Sequence, residues 1–107
     1  MTPFEVARKN DVVIVVEPLA NIYAYYNKIE NRKFIHINDS LPEYSRNYLI
    51  AYMLYFALEG KSDIYLLSKN FSEPAHQFAI NLLHSLSEED MIKLFDRLKR
   101  LWGIDTA

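Results

Sequence analysis

The sequence predicts an α+β domain, and three observations carry that prediction. Runs rich in β-branched and aromatic residues occupy the first third of the chain. The rest repeats its apolar side chains at helical spacing. Helix-start chemistry stands near Pro42, Ser72 and Ser87. Strands followed by helices, rather than alternating with them, point to α+β, here about three antiparallel or mixed strands and then three helices.

Residues 1–10 are polar enough for a short helix or an arm. Val12 to Val16, closed by Pro18, reads as a largely buried strand. Asn21–Asn27 and Lys33–Asn38 are two further strands, and Lys28–Arg32 (KIENR) is expected to be their hairpin connection. In the latter strand His36 shares a face with Phe34, as a surface or half-buried histidine. Asp39-Ser40-Leu41-Pro42 is a turn leading into a helix over Pro42–Glu59, which Gly60 ends. Ser62–Leu67 suits one short strand or an extended loop. Ser72, Glu73 and Pro74 open a second helix, on which Ala75, Phe78, Ala79, Leu82 and Leu83 keep a helical spacing. Ser87 caps a third, whose acidic start and basic end suit the helix dipole and whose apolar side runs from Met91 to Trp102.

A chain of 107 residues is one domain with room for a modest core. A net charge of −2 provides no general attraction to nucleic acid or an anionic membrane. Without cysteine there is no disulfide, thiolate nucleophile or thiolate metal site. The segment MTPFEVARKND lacks the apolar core of a secretory signal, so a cytoplasmic protein is expected. Eight tyrosines are unusual, and tyrosine is enriched at contact surfaces because its ring buries area while its hydroxyl stays wet.

The stretch Asn47–Gly60 (NYLIAYMLYFALEG) organises the rest. It is apolar nearly all round, as befits a buried central helix, and too short to span a bilayer. Tyr44, Tyr48, Tyr52 and Tyr55 share a stripe about 80° wide at about 100° per residue. Four phenol rings are hard to bury with every hydroxyl satisfied, so this stripe is the candidate partner-binding surface. Met53 and Phe56, on the adjoining side, are expected in the core.

The order of these pieces resembles the ImmA/IrrE-like family of small zincin-fold metallopeptidase domains found in phages and mobile elements. The matching residues are Ile35, Ile37 and Asn38, then Arg46, Ile50, Ala51 and Leu54, then Ala75, Phe78, Ala79, Leu82 and Leu83, within about residues 11–85. The family's HExxH histidines hold zinc and its glutamate activates water. At those positions this chain has Tyr52, Met53 and Phe56, and Ser72 falls where the third ligand belongs. Phenylalanine cannot coordinate a metal, and methionine cannot act as a general base.

The resemblance therefore implies a catalytically inactive domain with no cofactor. Active relatives act on helix-turn-helix repressors, so the implied partner is such a repressor, bound and inactivated stoichiometrically as by an antirepressor. Two other readings stay open: a phage inhibitor of another host protein, and a metallopeptidase with relocated ligands such as His36, Glu59, Glu73 and His76. Self-association is also left open.

Overall fold

The computed structural model describes residues 2–67 and 72–83. Its elements are α1 (Pro3–Lys9), β1 (Val12–Glu17), β2 (Ala24–Ile29), β3 (Arg32–Asn38), α2 (Glu43–Glu59), β4 (Ile64–Leu66) and α3 (Glu73–Leu82). The α+β class holds, and β4 takes the strand alternative for Ser62–Leu67, giving four strands rather than about three. The helix expected from Ser87 lies outside the described residues.

Local chemistry sets the helix boundaries. Thr2 Oγ1 accepts from the Glu5 amide and Pro3 occupies the first turn, so the N-terminal residues form a helix rather than an arm. Ser72 Oγ accepts from the Ala75 amide at 3.3 Å and starts α3 as the sequence implies. Gly60 closes α2 at φ 71°, a left-handed conformation that a side chain would strain.

The sheet order is β1-β3-β2-β4. β1 runs parallel to β3, with Val12 beside Lys33 and Glu17 beside Asn38. β2 is antiparallel to both β3 and β4. The β2–β3 connection is shorter than the expected Lys28–Arg32. Lys28 and Ile29 complete β2 and Arg32 opens β3, leaving Glu30 and Asn31 to turn the chain at φ 49° and 68°. Two consecutive left-handed residues make the tight turn whose twist matches that of the strands. Extending the ladder therefore absorbed three residues that their polarity had marked as loop.

Asn38 ends β3 and fixes the neighbouring loops. Its Nδ2 donates to the carbonyls of Leu19 and Ile22, and its Oδ1 accepts from the Ser40 amide and hydroxyl. The β1–β2 loop and the turn into α2 are thus held by one buried side chain.

The helices pack on one side of the sheet. Ala24, Tyr26, Ile35 and Ile37 face α2, which buries Leu49, Ile50, Met53, Leu54 and Ala57 between the sheet, α1 and α3. Having neighbours around most of its circumference is why α2 is apolar nearly all round. Leu49, Ile50, Met53 and Leu54 each contribute about 1.5–3 kcal/mol, an upper bound because the unfolded chain already hides some area. Among the described residues no helix is long and apolar enough to cross a membrane.

Candidate functional site

The site the sequence singles out lies where α2, β4 and the start of α3 meet. Helical spacing stacks Tyr48, Tyr52 and Phe56 along α2. The ring centroids of Tyr48 and Tyr52 are 5.9 Å apart, and those of Tyr52 and Phe56 are 5.6 Å apart. The edge strand answers with Tyr65, whose ring stacks on Phe56 at 3.7 Å and 12°. From α3, Phe78 meets Tyr55 edge-on at 6.2 Å.

The hydroxyls find partners on the same elements. Tyr52 Oη accepts from the Ser72 amide at 3.1 Å and lies 3.5 Å from Tyr65 Oη. Tyr48 Oη lies 2.8 Å from His76 Nδ1 and donates to it in the tautomer that carries its proton on Nε2. These bonds correct the expectation of an open tyrosine stripe. Tyr48 and Tyr52 are fully buried, while Tyr44 and Tyr55 are half-buried. Burying the phenols carries little penalty because α3 and β4 supply polar atoms at the right height. Phe56 is corrected in the opposite sense: Met53 is fully buried, but Phe56 is only half-buried, at the rim under Tyr65.

Burial governs the electrostatics. It pushes the Tyr48 hydroxyl well above the usual phenol range, with Tyr52 and Glu73 adding to the effect. Tyr52 is raised chiefly by burial, then by the Tyr65 hydroxyl, while the Ser72 amide offsets part of the rise. Both phenols therefore remain neutral across the physiological range. His76 is held below its ordinary value by burial, against an opposing pull from Glu73. The cluster presents neutral aromatic and hydroxyl groups bonded to one another.

The relocated ligand set does not assemble. His36 lies on the sheet face opposite the helices, whereas His76 is on α3. Among the described residues no three His, Asp or Glu side chains come together in a manner suited to a metal ion. His84 lies outside the described residues.

Sequence reasoning missed the surroundings of His36. Its Nδ1 is 3.0 Å from Glu17 Oε1 and its Nε2 is 2.9 Å from Asn27 Oδ1, so three strands are joined by one ring. Tyr25 stacks on that ring at 4.1 Å and 6°. Alternation places His36 with Phe34, but the partners become visible only through the register across β1, β3 and β2.

Compared with known proteins, the chain matches no family model, no curated protein and no solved structure.

Proposed function

We propose that the chain is a non-catalytic member of the ImmA/IrrE-like family, of zincin-like build, that binds a helix-turn-helix repressor of a phage or mobile element and inactivates it without turnover. One observation carries this reading: Tyr52 Oη is hydrogen-bonded to the Ser72 amide. Positions 52 and 72 are those the resemblance assigns to two zinc ligands. Their proximity supports the alignment of the chain with the family. Their residue types, with Met53 and Phe56 beside them, replace metal-binding chemistry with a closed aromatic cluster.

With Tyr48 and Tyr52 buried, the contact surface moves from the tyrosine stripe to the neighbouring sheet edge. β4 is the last strand of the sheet among the described residues, and Ile64 and Leu66 are 58% and 56% exposed. A strand edge offers unpaired backbone groups, and adding a partner's extended segment satisfies them while alternate side chains give specificity. Such a binder acts in proportion to its amount. Acting on a repressor, it works in the bacterial cytoplasm.

The test mixes the purified chain with a helix-turn-helix repressor encoded by the same genome and with that repressor's operator DNA. Release of DNA should saturate at a fixed ratio, with the repressor intact on a denaturing gel and no response to chelator. Ile64→Asp with Leu66→Asp should weaken the effect. Repressor fragments, or activity abolished by chelator and restored by zinc, would overturn the reading.

A further inference from the structure

Among the described residues the sheet has helices on one side only, and its other side is an apolar surface that no described element covers. Val13, Ile29, Ile64 and Leu66 are 38%, 56%, 58% and 56% exposed there, around half-buried Phe34 and Tyr25. The register places them on that side: Val13 lies beside Phe34, and Tyr25 and Asn27 lie beside Leu66 and Ile64. We infer that this face pairs with the same face of a second copy of the chain, making a two-fold sheet-on-sheet dimer.

Area and charge both favour that occupant. With four large side chains at these exposures and as many half-buried ones, covering the face removes on the order of 550 Å² per copy, about 1,100 Å² in all, just past the roughly 1,000 Å² that a specific interface clears. Two sheets of like twist pack face to face about 10 Å apart, and each copy supplies a sheet of the matching twist. The polar groups at the centre ask nothing of an occupant, because Glu17, His36 and Asn27 are bonded to one another. Arg32 also lies on this side, its guanidinium 5.8 Å from the Phe34 ring centroid.

Arg32 stands at the start of β3, and Glu17 at the far end of β1 beside Asn38. A two-fold axis in the plane of the interface and across the strands superposes one copy's start on the other's end. Each Arg32 then approaches the Glu17 end of the other copy, so like charges are kept apart. Symmetry of this kind closes at two copies.

Sedimentation equilibrium of the full chain, from low micromolar to several hundred micromolar, tests the inference. The mass should rise to twice 12.6 kDa and stop there. Val13→Asp with Ile29→Asp, exposed positions on β1 and β2 rather than on β4, should raise the dimer dissociation constant at least about tenfold. Arg32→Glu should raise it as well. Circular dichroism of each variant should match the wild type. If the double variant fails to fold, Arg32→Glu alone decides. A wild type that stays monomeric overturns the inference, as does a mass that grows past two chains, or a dimer that the folded variants leave unchanged. A wild type that dimerises but releases no repressor counts against the proposed function alone, and one that releases repressor while staying monomeric counts against this inference alone.

Discussion

Replacing Tyr52 separates the two things its side chain does. Tyr52→Phe keeps the buried ring against Tyr48, Phe56 and Tyr65 but deletes the hydroxyl that accepts from the Ser72 amide. Ser72 begins α3, so the lost acceptor leaves an amide unpaired at a helix start in a half-buried place. That should cost about 1–2 kcal/mol, the usual range for an orphaned donor that water reaches in part. Tyr52→Ala removes the ring as well and opens a cavity beneath β4, for an expected loss of about 3–5 kcal/mol. A domain of this size holds roughly 5–15 kcal/mol in total, so the alanine variant should be marginal at 37 °C. Urea unfolding of the three proteins, followed by circular dichroism, measures both differences, and an unchanged m-value shows that they are compared on one transition. The Phe variant should also melt lower by roughly 5–10 °C. Wild-type stability in both variants would refute the reasoning, because it would mean that Tyr52 is neither buried nor bonded to α3.

Acidification should destabilise the domain through His76. Burial lowers its folded pKa from the ordinary 6.5, so its contribution is fully present above pH 6.5 and is lost as pH falls through the lowered value. A His76→Gln variant should flatten that part of a stability-versus-pH curve. At the alkaline end Tyr48 and Tyr52 act in the opposite sense. Their folded pKa values are raised from 10.0, so stability present below pH 10 should fall above it, less steeply in Tyr48→Phe. Glu30→Asn with Asn31→Gly places turn-favouring residues at the two left-handed positions and should stabilise by about 1 kcal/mol in chemical unfolding. Gly60→Ala should destabilise by about 1 kcal/mol, because φ 71° is strained for alanine even though its Cβ meets nothing within 4 Å.

What the sequence determined by itself was local. Capping groups, a glycine stop and helical spacing placed α2 and α3 to within a residue or so, because those signals act within one turn of chain. β-branched runs located β1 and β3 in the same way, and alternation put His36 beside Phe34. The tertiary structure decided what long-range pairing controls. Register lengthened β2 and left Glu30 and Asn31 alone in the turn, since each added ladder bond outweighs the polarity of Lys28 and Arg32. It also joined His36 to Glu17 and Asn27, residues nineteen and nine positions away in the chain. The tyrosine stripe shows the limit most clearly. Helical spacing aligned Tyr44, Tyr48, Tyr52 and Tyr55, but burial of the middle two depended on acceptors and donors from Ser72 and His76. A phenol is at home at a surface or in a core according to whether its hydroxyl finds a partner, and that partner stands on another element.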